Sequence, residues 1–559
     1  MDTDGKLRED VISPLLKVAT YKGFTLTGPK EVIVRKVYSS QVVDVANPLV
    51  RDAQTDASFT QLNFRCLGTS PACMCSARAR LVVPLRFVAP TSTNANGGDG
   101  RVAGAEAWDN LEIGPRRNGV LKGMASISTI INNTTSFSVR CDESLAAAEQ
   151  CFTQQGIYGM TGTEQDEEQG WWGPDWDGSG QITVAAQDRR PYGDLQRLGY
   201  WETHDLAEKS NRAAAARRAA FLDAVNLGAA TGYAGDIGER TVVDYEYSTA
   251  LFIPPWKCFD YPTVSKAPSF IPYADQIEVT VHWKAIDELK AALLLGRGQG
   301  QSGRVCTGYG LQYYAQPYIE LTYVVPNFSL PPVVTLPAWR TISYFHDVAF
   351  DQVDPITNAL ISGTGALNKQ TITMAPIRIE SMPSLVFCWV GDTALTDTGT
   401  GGDLVKGFNM REYFGKISNF SCTLNERLRI LSDRDTYSLY KLFRTYCPNS
   451  RMSFKIWSEL RQMIVFRTDV LCTDAQQSVF SPTSITFKMD VERAIQNRSA
   501  ARSKCTQRIN VLLWYANEAL SLSSQSSAVT SLLLNKSDVR EVRVGAGASA
   551  ITEIMARNQ

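Results

Sequence analysis

The sequence predicts an all-β protein built as two β-sandwich domains in tandem, and three observations lead there. The chain is too long for one core, its dominant texture is short strand-forming segments, and those segments recur in the same order in both halves. At 559 residues it exceeds the roughly 250–300 residues at which a single hydrophobic core stops growing, so two domains are the natural division. Hydrophobic residues make up 44% and charged residues 20%, a globular balance with ample apolar surface to bury.

The strand texture consists of runs rich in β-branched and aromatic residues, punctuated by Gly, Pro, Asn and Asp. In the first half these are RARLVVPLRFVAP from Arg78, ISTIINN from Ile127, DQIEVTVHWK from Asp275 and PYIELTYVVP from Pro317. The second half supplies TITMAPIRIE from Thr371, SLVFCWVGD from Ser384, KISNFSCTLN from Lys416, SITFKMDVE from Ser484 and RINVLLWYA from Arg508.

Three landmarks keep register between the halves, which favours an internal duplication. Ile127–Asn133 is followed by a polar strand to Val139 and a short helical run ending at Phe152. Ile417–Asn425 is followed by LRIL and the helix-like DRDTYSLYKLF ending at Phe443. Each half then closes on a strand, Ile319–Val325 and Ile509–Tyr515. The first half is the longer, and its surplus lies around 153–245, where the β texture fails. This reads as a partly helical insertion projecting between strands. The prolines of PNFSLPPVVTLPAW disfavour paired strands and stiffen a linker, placing the boundary near residue 330. The expected organisation is an N-terminal arm over 1–40, a first sandwich over 41–330, a second over 331–522, and a Ser/Ala/Gly-rich tail over 523–559 that orders only against a partner.

Lys plus Arg total 56 against 57 Asp plus Glu, so the chain lacks the positive excess of a protein that neutralises many phosphates. Strong direct nucleic-acid binding is not expected. The charged opening MDTDGKLRED has no signal-peptide core and no apolar run approaches the roughly 20 residues of a membrane span, which predicts soluble synthesis inside a cell. Twelve cysteines without a regular framework read as buried thiols. Only Cys66, Cys73 and Cys75 cluster, and their spacing lacks the second pair a zinc site needs.

Candidate chemistry is sparse. Asp175, Asp177, Ser179, Gly180 and Ile182 match the start of an EF-hand loop, but the twelfth position, which must supply a bidentate carboxylate, is Ala186. Gly298, Gly300 and Gly303 spell GxGxxG, yet a helix-like DELKAALLL precedes them and the motif reads as a loop. The histidines His204, His282 and His346 show no metal-binding spacing. Arg212, Arg217 and Arg218, and the later group Arg493, Arg498, Arg502, Lys504 and Arg508, read as solvated faces or subunit contacts. The acidic stretch EQDEEQGWWGPDWDGSG carries a rival reading. Trp171, Trp172 and Trp176 could stack on sugars while Glu167, Asp175 or Asp177 act as acid and base, giving a carbohydrate-binding or glycoside-hydrolysing sandwich. Against it, carboxylates crowded into one loop are not held at the fixed separation that glycoside hydrolysis requires. No catalytic, cofactor or metal residue is therefore assigned.

The order of segments resembles the double jelly-roll major capsid proteins of the adenovirus-like lineage, most of all those of polinton-like viruses and virophages. RARLVVPLRF, GPRRNGVLKGMASISTIINNTTSFSV, SMPSLVFCWVGD and REYFGKISNFSCTLNERLRILSDRDTYSLYKLF carry the resemblance, which spans most of 60–520. It implies two eight-stranded jelly rolls side by side and a homotrimer with a pseudo-hexagonal outline that tiles an icosahedral shell. It further implies no catalytic site, loops that form outward towers, and as partners further copies of itself in neighbouring capsomers, with penton and minor capsid proteins. The near-neutral charge and the absence of an Arg-rich arm agree with a shell whose genome charge is handled by other molecules.

Overall fold

The computed structural model describes residues 31–40, 59–68, 74–76, 78–88, 112–115, 119–133, 135–141, 242–252, 270–297, 309–325, 333–349, 369–379, 383, 385–392, 415–424, 428–447, 454, 457–458, 462–466, 483–492, 506–523 and 527–531. In the first half these form β1 (Glu31–Tyr38), β2 (Gln61–Leu67), β3 (Met74–Ser76), β4 (Arg78–Val88), β5 (Glu112–Pro115), α1 (Gly119–Gly123), β6 (Met124–Ile131) and β7 (Thr135–Arg140). There follow β8 (Val242–Phe252), β9 (Phe270–Pro272), β10 (Gln276–Trp283), α2 (Ile286–Leu293), β11 (Leu294–Arg297), β12 (Gly310–Tyr313) and β13 (Tyr318–Val325).

Two sheets face each other. The larger sets β1 beside β13, β13 and β12 beside β4, β4 beside β8, β3 beside β13, and β9 beside β3. The smaller runs β2-β10-β6-β7, and β5 with β11 makes a separate ribbon. Each of these pairings is antiparallel. Counting eight strand positions along the chain, the first pairs with the eighth, the second with the seventh, the third with the sixth and the fourth with the fifth. That nesting is a long hairpin rolled into a sandwich, the jelly-roll topology.

The second half repeats it with β14 (Val333–Ala349), β15 (Lys369–Thr373), β16 (Ile377–Ile379), β17 (Leu385–Asp392), β18 (Lys416–Leu424), β19 (Leu428–Arg434), α3 (Thr436–Tyr446), β20 (Met463–Phe466), β21 (Thr483–Glu492), β22 (Thr506–Ser523) and β23 (Ser527–Ser531). Its sheets run β14-β22-β17-β20 and β15-β21-β18-β19, with β16 beside β21 and β23 beside β22. The nesting is the same: β14 with β22, β15 with β21, β17 with β20, β18 with β19. The duplication seen in the order of segments is thus a duplication of topology.

Alternation of side chains explains each core. In β10 the residues Ile277, Val279, Val281 and Trp283 point inward and are buried, while Gln276, Glu278, Thr280 and His282 stay half-exposed on the other face. They meet Leu81, Val83, Leu85 and Phe87 of β4 in one core. In the second roll Phe420 of β18 reaches across to Phe466 of β20 at 6.0 Å between ring centroids and lies equally close to Phe487 of β21. Fully burying a side chain of this class stabilises the fold by about 1.5–3 kcal/mol. Helix α3 starts where the Asp435 carboxylate accepts a hydrogen bond from the Ser438 amide at 3.2 Å. It is held by Leu439 and Phe443, buried one turn apart on one face.

Several expectations need correction. Glu31–Tyr38, expected within an N-terminal arm, is a strand paired along its whole length with β13. Its partner lies far along the chain, and the local pattern, with charges at Glu31, Arg35 and Lys36, does not reveal it. The expected insertion, around 153–245, gives way to β8, which begins at Val242 beside Val88. The expected proline linker is strand from Val333 onward, with Pro337 opposite Ala519. An edge strand accepts proline because one side of its ladder is open, and among the described residues β14 pairs with β22 alone. Pro84, inside β4, uses a similar gap: β13 pairs with Arg80–Val82 and β12 with Leu85–Val88, and at the break the Tyr314 amide donates to the Pro84 carbonyl. Finally, β22 runs to Ser523 and part of the expected tail, Ser527–Ser531, pairs with it. The helical run expected to end at Phe152 and most of the insertion lie outside the described residues.

Candidate assembly surfaces

Among the described residues, those with chemical potential are not brought together. Cys66 and Cys75 are buried in β2 and β3 of the first roll, both as free thiols, and burial pushes the Cys66 thiol up to about 12. An apolar pocket disfavours the thiolate, the form that binds metals and attacks electrophiles. Cys73 lies outside the described residues. Among those described, no group of three or more His, Cys, Asp or Glu is placed to hold a metal ion. His282 sits half-buried on β10, opposite Gln61 and Ser126, and His346 lies on β14 of the other roll opposite Ile509. His204, the EF-hand-like segment from Asp175 to Ala186, Glu167 with Trp171, Trp172 and Trp176, and the glycines at 298, 300 and 303 are all outside the described residues. So are Arg212, Arg217, Arg218, Arg493, Arg498, Arg502 and Lys504. The helix expected before the glycines is present as α2.

Arg508 is described, and it is engaged within its own sheet. Its guanidinium donates to both carboxylate oxygens of Asp347 at 2.7 and 3.1 Å and lies 4.3 Å from the centroid of the Phe345 ring. A second forked pair, Arg86 with Asp244 at 2.6 and 2.7 Å, joins β4 to β8 with both side chains about nine-tenths buried. The Asp244 carboxylate holds the Arg86 guanidinium above its usual range. Glu320 receives Lys36 at 3.5 Å and Arg80 at 3.2 Å across three strands of the same sheet. Each of these groups spends its charge tying neighbouring strands together.

What the surface offers instead is apolar. Val32, Val34 and Tyr38 project from one side of β1 at 52%, 64% and 55% exposure. Tyr437 and Phe454 meet edge to face at 5.4 Å beside α3, and both are exposed. The two rolls also meet: the Cα atoms of β14 and β23 come within 8 Å of those of β7. A surface made of strand edges and aromatic side chains suits contact with other protein chains.

No protein-family model matches the sequence, and no curated protein matches it. Solved structures do. The chain is similar to one in the cryo-EM structure of the Sputnik virophage, with TM-score 0.62 and 13% identity over 96% of this chain and 95% of that one. It is also similar to the mavirus major capsid protein, with TM-score 0.55 and 10% identity over 93% of this chain and 95% of that one. The fold is the double jelly roll. Coverage is near-complete in both directions, so the likeness takes in both rolls and is not confined to one. Its shared part is topology: at such low identity the side chains on the surfaces above are this chain's own.

Proposed function

We propose that the chain is a major capsid protein that trimerises into pseudo-hexameric capsomers tiling an icosahedral viral shell. The observation that carries this reading is the duplicated jelly roll, with the same nesting of strands in each half and a likeness to the mavirus major capsid protein over nearly the full length of both chains. A subunit with two equivalent rolls, repeated by a three-fold axis, gives six similar sides, which is the outline needed to tile a sheet of capsomers. The division that serves this role is a first roll up to about residue 330 and a second over 331–522.

The role is structural, without catalysis or cofactor. The chain works in the virion capsid, after synthesis as a soluble protein, beside neighbouring capsomers and with penton and minor capsid proteins at special positions. Among the described residues no helix is long and apolar enough to cross a membrane. Electron microscopy of the purified protein is the test: it should show three-fold particles of hexagonal outline that join into sheets or shells. Particles that stay single at every concentration contradict the reading.

A further inference from the structure

Among the strands that bound the sheets, four fall into two equivalent pairs, one pair in each roll. In the first roll β1 bounds the large sheet and β7 the small one; in the second roll β14 and β19 hold the same two places. Within one chain β7 lies beside β14, so the small-sheet edge of one roll meets the large-sheet edge of the next. By the equivalence of the two rolls, the counterparts of β7 and β14 are β19 and β1. Among the described residues β19 pairs only with β18, and β1 only with β13.

The geometry points to a contact between copies in which β1 of one chain seats against the β19 edge and the start of α3 of the next, reproducing between chains the β14–β7 contact within a chain. This rests on the capsomer reading and deepens it by naming the faces. The distribution of exposed apolar side chains supports it independently. Seven large hydrophobic side chains stand exposed among the described residues. Val32, Val34 and Tyr38 are on β1, and Leu67 is next to it, its carbonyl accepting from the Arg35 guanidinium at 3.2 Å. Tyr437 and Phe454 lie where β19 passes into α3. Only Phe345 lies elsewhere, and the Arg508 guanidinium covers its ring.

The contact is head-to-tail: two different surfaces meet, so each chain both gives and receives, and the ring closes when the rotation does. An isologous pairing of β1 with β1 would leave the β19 side bare. Exposed Tyr and Phe are the side chains that anchor protein contacts most often, and a strand edge supplies backbone groups for register.

Two measurements on the full chain test this. Val34→Glu places a charge in the middle of the β1 row, at a position so exposed that the fold is unaffected; the mass in solution is expected to fall from three chains to one. In the second, Glu31→Cys and Ser432→Cys, both at exposed positions, are combined and treated with a short bismaleimide, with the unsubstituted chain as the background. The double variant is expected to give linked dimers and trimers on a denaturing gel. Glu31→Cys and Ser432→Cys chains assembled together should give dimers alone, and each by itself should give only background. Linkage from Glu31→Cys alone, or a Val34→Glu chain that remains a trimer, overturns the contact. Should Val34→Glu fail to fold, the linkage pattern decides. A monomeric unsubstituted chain instead contradicts the capsomer reading itself, so the two failures are distinguishable.

Discussion

The outward faces of the two large sheets share one topology and differ in what they meet. In the second roll Leu385, Phe387, Trp389, Leu512 and Trp514 alternate away from the sandwich core, yet all are at most 3% exposed. In the first roll the corresponding face carries the Lys36–Glu320–Arg80 ion pairs and, on β1, the exposed row of Val32, Val34 and Tyr38. Burial reaches both sides of the large sheet in each roll, but in the first, where Met74, Val82 and Val324 are covered, it stops short of β1. The exposed row makes the first roll the one with apolar surface still to cover. A strand's place in a topology therefore does not decide its fate, which depends on the neighbour that the rest of the chain, or another chain, supplies.

Substitutions can break or sharpen that contrast. The largest effect is expected from Phe387→Ala, which removes a ring from the doubly buried sheet and should cost about 3–5 kcal/mol of stability in denaturant unfolding. Val34→Ala on β1 should cost under about 0.5 kcal/mol in the same assay on dissociated chains. Next comes Asp244→Ala. It leaves the Arg86 guanidinium nearly buried without its carboxylate, a loss on the order of 3 kcal/mol, whereas replacing both partners by leucine should recover much of it. The exposed pairs of Glu320 are worth less, roughly 0–1 kcal/mol, because solvent screens them.

A modest, pH-dependent effect is expected at α3. Hydrogen bonds from the Ser438 side chain and amide hold the Asp435 carboxyl below its ordinary range. A depressed carboxylate stabilises the fold above its unfolded pKa, and that contribution is lost as pH falls through the folded one. Asp435→Ala should therefore lower stability modestly at neutral pH, and the difference from the unsubstituted chain should vanish in acid. A difference that persists in acid would assign the effect to something other than the charged cap.

Much of the fold is legible in the sequence. β4, β10, β13, β17, β21 and β22 are visible because apolar or alternating runs of eight or more residues carry their own signal. α3 is visible from its spacing of Leu439 and Phe443. Several strands escape, for more than one reason. β20 has only four residues, Met463–Phe466, too few to show a period. β1 and β23 are defined by partners far away or by backbone pairing alone, which composition does not record. Prolines mislead over residues 333–339, because the rule against proline in strands is relaxed at an open edge. The assembly surface is the least legible. Val32, Val34 and Tyr38 alternate with inward Ile33 and Val37 in a sequence that could face either way, and only the pairing with β13 fixes which set is outside.

The proposed capsomer requires that two jelly rolls in one chain make a subunit that completes itself in threes. Light scattering on the purified full-length protein measures this most directly: the account predicts a particle of three times the 61.7 kDa chain mass, stable on dilution. A stable species at 61.7 kDa, with β1 still exposed, would contradict it.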